Sequence, residues 1–382
     1  MTQRPRLFLS AGEVSGDRYG AALAAFLRSQ APGVELRGLG GSCMAAAGVA
    51  LVDDVTPVSA VGLLEQLPAV ARVLRALGAA RRVLAAWRPD VVVLIDFQGA
   101  NMRLARAARE LGIPTVYWLL PQAWLWGLPG ELARVARAVD QLIAVLPPEA
   151  AAYRDAGGAV VQVGHPLLDL LAELPPHRPA PGPLVALLPG SRAAEIRALL
   201  PAFLGAAARV ALAHEDARFV LPLASGHLAS SVRAALAGCA LPVTVLEGEE
   251  APGWAHADVA LVASGTAVLE AACRDVPCVA AYRVARPTAW LARRLLRGPH
   301  VTLPNILLGR SVVPECLQDE ARPARLAAEL EALLADPGRR EAQRAGFAEV
   351  RGGLGGPGGV AAAARVVLAA AGLWLEDSCL PR

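Results

Sequence analysis

The chain has 382 residues with 36 Gly and 30 Pro, is 55% hydrophobic and carries a formal net charge of +3. That length exceeds one ordinary core, the Gly and Pro punctuation excludes a fibrous protein, and so small a charge gives no reason to expect a nucleic-acid partner. Much of the apolar content is alanine in helical runs such as residues 21–25, so the composition predicts a soluble protein of two α/β domains.

The first apolar run, Leu7-Phe8-Leu9, is only strand-sized and is followed at once by Glu13 and Asp17, which is not the pattern of a secretory leader; a cytoplasmic location is expected. Glu13, Ser15 and Asp17 fall in the loop after this strand, where Gly12 and Gly16 would let backbone approach a sugar. Asp17 has a competing reading as N-cap of a helix over Tyr19–Arg28. Residues 69–87 carry Arg72, Arg75, Arg81 and Arg82 with no acid, a basic amphipathic stretch suited either to an anionic membrane surface or to plain solvation. Residues 91–95 form a buried strand that ends at Asp96.

The uncharged run 111–130 is about the length of a spanning helix, but Pro114, Pro121, Pro129 and Gln122 break it into a strand at 114–118 and a loop. A strand at 141–145 follows. Paired tryptophans Trp124 and Trp126 read as core or as a sugar or acyl surface. His165, beside Pro166, reads as a hinge contact rather than a catalyst. The proline-rich residues 175–182 mark the linker between an N-terminal domain, 1–165, and a C-terminal domain, 166–350. A Gly-rich break at 352–359 precedes a final helix within 351–382, which need not pack on the domain before it. The six cysteines are scattered without a CxxC pair, so neither disulfides nor zinc are indicated.

In the second half, strand 184–188 runs into Pro189-Gly190-Ser191-Arg192 and then a helical pattern. A phosphate could approach the small turn, met by backbone N–H groups of the helix start and by the Arg192 guanidinium. A plain turn with Arg192 in solvent is the competing reading. Strand 259–262 leads likewise into Ser264-Gly265-Thr266 and a helix, and two such turns favour a diphosphate. Glu270, one turn on, suits ribose hydroxyls or is an ordinary helical charge. There is no Walker A loop, no GxGxxG after the first strand and no Asp-x-Asp; Asp53-Asp54 are adjacent and point differently. The leaving-group charge would then fall to Arg192 and helix dipoles, with no metal and no cofactor. Residues 282–297 carry Arg283, Arg286, Arg293, Arg294 and Arg297 around Trp290, a second basic stretch.

These words occur in order with Ala60–Glu65, residues 88–96, Gly164-His165-Pro166, Tyr282-Arg283 and Leu303-Pro304-Asn305, and together the chain resembles the lipid-A-disaccharide synthase family over nearly its whole length. The resemblance implies a GT-B fold: two Rossmann-like domains facing a cleft. It implies inverting transfer of 2,3-diacylglucosamine from its UDP derivative to the 6-hydroxyl of 2,3-diacylglucosamine 1-phosphate, releasing UDP, at the cytoplasmic face of the inner membrane. It also implies a homodimer that exchanges C-terminal elements. Asp96 becomes the base for the acceptor hydroxyl, with a helix cap as its alternative. Gly190, Ser191, Arg192, Ser264, Gly265, Thr266, Glu270, Tyr282, Arg283 and Asn305 fall on the donor side. Glu13, Ser15, Asp17, Glu65, Asn101 and Trp124 fall on the sugar or acceptor side.

The chain departs from the family in the acceptor half, with Gln98-Gly99-Ala100 before Asn101, Gly127-Leu128-Pro129-Gly130 in place of basic residues, and Pro148 before Glu149. Rival readings are a GT-B glycosyltransferase or UDP-sugar epimerase with another substrate, and a UDP-sugar binder without turnover.

Overall fold

The computed structural model describes residues 4–56, 66–125, 130–171, 174, 181–223 and 226–373. Glu65, Trp126 and most of the proline-rich linker lie outside them. The chain divides into two compact units, one made of residues up to Leu170 together with those from Gly353 onward, the other of Leu171–Gly352.

The first unit is a parallel sheet of seven strands, β1 (Arg6–Ala11), β2 (Glu35–Gly40), β3 (Ala50–Asp54), β4 (Val91–Ile95), β5 (Thr115–Trp118), β6 (Gln141–Ala144) and β7 (Val160–Gln162), in the order 3-2-1-4-5-6-7. Helices α1 (Val14–Gln30), α2 (Ser42–Ala46), α3 (Gln66–Trp87), α4 (Gln98–Glu110), α5 (Glu131–Ala138) and α6 (Pro147–Asp155) alternate with the strands. The second unit repeats the plan with β8 (Leu184–Leu188), β9 (Arg218–Pro222), β10 (Val243–Leu246), β11 (Val259–Ala263), β12 (Cys278–Tyr282) and β13 (Glu315–Leu317), in the order 10-9-8-11-12-13. Its helices are α7 (Ala193–Ala213), α8 (Ala229–Leu236), α9 (Thr266–Cys273), α10 (Arg286–Leu295), α11 (Leu303–Leu308), α12 (Pro323–Ala335) and α13 (Pro337–Gly353).

Residues of β4, β5, β8 and β11 are buried along their whole length. That is why they read as unbroken apolar runs: a parallel sheet with helices on both faces has no wet side. In the second unit Phe203, Leu200 and Val210 of α7 pack with Leu326 and Leu330 of α12 on one face of β8 and β11. Among the described residues α7 is long and apolar enough to cross a membrane by length and composition, and half of its apolar window is buried.

The last described helix, α14 (Gly359–Ala370), belongs to the first unit and packs on α1 of the same chain. Its N-terminus is capped by the Asp169 carboxylate, which accepts from the N–H of Gly358 and, at 2.7 Å, of Val360. A Cβ on Gly359 would sit 2.1 Å from the Gly164 carbonyl, so only glycine allows the two backbones to meet there.

Candidate active site

When a doubly wound sheet has the order 3-2-1-4-5-6, ligands gather at the carboxyl ends of strands 1 and 4, where the order reverses. In the second unit the loops at that point are residues 189–192 and 264–265. Leu188 pairs with Val262, so the turns that follow β8 and β11 leave neighbouring strands at the same end of the sheet. The two turns that the sequence singled out are side by side. Ser191, Arg192 and Ser264 are half-buried, and Gly265 and Thr266 are exposed.

The start of α7 is less open than the sequence suggested. Glu195 folds back so that its carboxylate accepts from the N–H of Ser191 (3.0 Å) and Arg192 (3.3 Å) and pairs with Nη1 of Arg192 (3.2 Å). A glutamate at the third helical position commonly reaches back in this way. Those two backbone groups are therefore already taken, and the Arg192 guanidinium is shared with the Glu195 carboxylate.

Tyr282 ends β12, one strand from Ser264, and is half-buried. Glu270 lies in α9 with Oε1 3.4 Å from Nε of Arg274, one turn further on. Arg283 follows Tyr282 but donates from Nη2 to the Ala321 carbonyl at 2.6 Å, so part of this cation is spent on the chain itself. Asn305 requires a larger correction. It is wholly buried; Nδ2 donates to Val313 O (2.8 Å) and Glu315 Oε1 (2.9 Å), while Oδ1 accepts from the N–H of Val312 (2.7 Å) and Val313 (2.8 Å). All four of its hydrogen-bonding positions are used. Asn305 shapes the 301–315 segment and has nothing left to give a donor nucleotide.

In the first unit Ala11 pairs with Ile95, which puts Gly12 and Asp96 level at the corresponding switch point. Asp96 and Phe97 both adopt φ +48°, and Phe97, not Asp96, is the N-cap residue of α4. The Asp96 carbonyl accepts from the Tyr117 hydroxyl (2.7 Å) and from Asn101 Nδ2 (2.7 Å), and its N–H donates to the Trp118 carbonyl (3.3 Å). Asn101 is fully buried: Nδ2 also reaches the carbonyls of Ile95 (3.2 Å) and Ser10 (3.3 Å), and Oδ1 accepts the Ser10 hydroxyl (2.7 Å). Expected on the acceptor side, it instead clamps β1 and β4 to α4. The space beside Gly12, expected to admit a sugar, holds the Phe97 ring, whose nearest atom lies 2.2 Å from where a Cβ on Gly12 would stand.

Helix α1 begins at Val14, five residues before the expected start at Tyr19. Glu13 is its N-cap residue and Ser15 sits in its first turn, both half-buried. Asp17 caps not its own helix but α2, accepting from the N–H groups of Gly41 (2.7 Å), Cys43 (2.9 Å) and Met44 (3.0 Å). With only 4% of its surface exposed, this carboxylate is structural. Trp124 is half-buried in a short 3-10 turn, and its Nε1, like that of Trp118, is buried with no acceptor among the described residues. Gln98, one of the family departures, bonds the Glu131 carboxylate and ties α4 to α5.

Two residues near Asp96 were not singled out from sequence. Tyr117 was hidden in an apolar strand, although a buried tyrosine needs a partner for its hydroxyl. Burial first, then the Asp96 charge, hold that phenol well above its usual range, so it stays a donor. Glu149 is the third residue of α6, after Pro147 and Pro148, a position typical of helix starts. Burial pushes its carboxyl up to about 8, against hydrogen bonds from the N–H groups of Val145 and Leu146. Asp96 thus has a neutral acid, not a second anion, among its electrostatic neighbours at pH 7. His165 is packed inside the first unit with Nδ1 accepting from the Leu167 N–H (3.1 Å); burial holds it down to about 4, so it is neutral.

The family model for lipid-A-disaccharide synthetase matches residues 7–355. The lipid-A-disaccharide synthase of Myxococcus xanthus is 38% identical, with 96% of this chain and 98% of the relative covered. That of Alkalilimnicola ehrlichii is 41% identical, with 96% and 99% covered. Among solved structures, the chain is similar to S. aureus MnaA with UDP (TM-score 0.66, 14% identity, 98% and 99% covered). It is also similar to the calicheamicin glycosyltransferase CalG4 (TM-score 0.57, 20% identity, 97% and 99% covered). These likenesses show the two-domain GT-B fold of the chain.

Proposed function

Because the chain belongs to the lipid-A-disaccharide synthase family, we propose that it moves 2,3-diacylglucosamine from its UDP derivative to the 6-hydroxyl of 2,3-diacylglucosamine 1-phosphate, inverting the anomeric centre and releasing UDP. It is a glycosyltransferase acting in lipid A biosynthesis. The observation that carries this reading is the family match across residues 7–355.

The geometry supports assigned roles. The paired turns at Gly190–Arg192 and Ser264–Thr266 receive the UDP diphosphate, and Arg192 meets the charge that develops on the leaving group. The sequence has no Asp-x-Asp word, and the transfer is read as independent of metal. Asp96 takes the proton of the acceptor hydroxyl as that oxygen attacks the anomeric carbon. Glu149 nearby, neutral at working pH, adds no second negative charge beside Asp96.

The acyl chains call for contact with the inner-membrane surface. Val70 and Leu74, 46% and 48% exposed, share α3 with exposed Arg75 and Arg82. On α10, Trp290 is 57% exposed under the Arg294 guanidinium, which sits 3.7 Å from its ring centroid. Apolar and cationic side chains mixed on one helix face suit an anionic bilayer surface. A homodimer by exchange of α14 is read as a second arrangement of the helix that here packs on its own first unit.

The test is a purified-protein assay with UDP-2,3-diacylglucosamine and 2,3-diacylglucosamine 1-phosphate, reading UDP release and product mass. A disaccharide one UDP lighter than the summed substrates is expected. Asp96→Ala should abolish turnover and keep UDP binding, whereas Arg192→Ala should weaken UDP binding by about tenfold or more, as for loss of a charged hydrogen bond. UDP release that is never stimulated by the acceptor would refute the reading.

A further inference from the structure

Asp96 and Phe97 are two successive non-glycine residues at φ +48°. Backbone strain of this kind persists only where the surroundings over-determine it, and it collects at functional sites. Here the determinants can be named. The Asp96 carbonyl is gripped by the Tyr117 hydroxyl and by Asn101 Nδ2, each at 2.7 Å, from two different elements, β5 and α4. Both side chains are fully buried. The same Asn101 amide binds Ser10 O, Ile95 O and the Ser10 hydroxyl, so the grip is anchored in the ends of β1 and β4. The Phe97 ring is seated on Gly12.

We propose that Tyr117 and Asn101 are positioning residues for the reaction: by holding the Asp96 carbonyl from two sides they impose the left-handed turn that fixes the direction in which the Asp96 carboxylate leaves the chain. The proposal rests on the reading of Asp96 as the base. Neither residue touches substrate in this account. Both grips are made by uncharged groups on a main-chain oxygen.

The experiment is Tyr117→Phe in the full chain, with kcat and KM for both substrates measured across pH, and Asn101→Ser as an independent second variant. Loss of the phenol oxygen leaves the ring to fill the core. Each variant should lose about tenfold in kcat, in line with small misplacements of a catalytic group, with KM within twofold. The midpoint of the acid limb of kcat against pH should move, because a re-aimed carboxylate meets different surroundings. A smaller fraction of active protein would only scale that profile. If Asp96→Ala is inactive while both variants keep wild-type kcat, or merely scale the profile, the positioning role is overturned and the base survives. If Asp96→Ala retains turnover, the base reading fails and this inference with it.

Discussion

Replacing Gly12 by Ala tests whether the gap beside the first strand belongs to the protein or to a ligand. A Cβ there would lie 2.2, 2.3 and 2.4 Å from three atoms of the Phe97 ring. Carbon atoms at contact stand about 3.5–4.0 Å apart, so the ring must retreat by more than an ångström. Overpacking of this sort costs about 1–3 kcal/mol, which lowers Tm by roughly 2–4 °C per kcal/mol for a domain of this size. Thermal unfolding should show that drop, and kcat should fall with it as Asp96 is pulled out of place. Adding Phe97→Ala to Gly12→Ala should cost less than the two single changes summed, since the clash goes with the ring. Wild-type Tm with a raised acceptor KM would refute the reasoning and restore the space beside Gly12 to the sugar.

Asn305→Ala should lower Tm, because it leaves the N–H groups of Val312 and Val313 without their acceptor, at about 1–3 kcal/mol for the buried Val313 group; UDP affinity measured well below Tm should stay within twofold if the residue does not touch the donor. Glu149 makes stability fall with pH. Its folded value, about 8, lies above its ordinary 4.5, so the folded state binds the extra proton between them. The stabilisation is complete below the ordinary value and is lost as pH rises through the folded one. Denaturant titrations should show a decline of up to about 1.4 kcal/mol per pH unit within that window, and Glu149→Gln should flatten it; an unchanged slope in the variant would place the effect elsewhere.

The layered α/β plan was legible because apolar runs such as 91–95, 184–188 and 259–262 have no polar face to disguise them. The two turns of the second unit were legible for a different reason, since Gly, Ser and Thr between a strand and a helix favour a turn and a helix start over continuing the strand. What could not be read was where polar side chains spend their hydrogen bonds. Asp17 and Asn305 carry chemically capable groups, yet the first caps a helix 24 residues away and the second is surrounded by its own loop. Sequence spacing says nothing about such long-range pairing. Glu195 escaped notice for the opposite reason: it is so close to the turn that it reads as the next helical charge, while its carboxylate takes the N–H groups that looked open. The Asp96 turn combines both cases, since its strain is local and its anchors, Tyr117 and Ser10, are distant in sequence.

The docking of α14 on α1 also governs the order in which the protein can be completed. The first unit gathers residues up to Leu170 and then waits for those beyond Gly353. On a ribosome the second unit has all its strands and helices before the first has its last helix, so the later-made domain can close first. Until α14 arrives, the part of α1 that it covers, and the Asp169 carboxylate that will receive it, have no partner from that helix. A ribosome stalled inside the second domain would therefore leave a defect in the first, and a chaperone that binds exposed apolar surface would find it near the start of the chain rather than at the point of arrest.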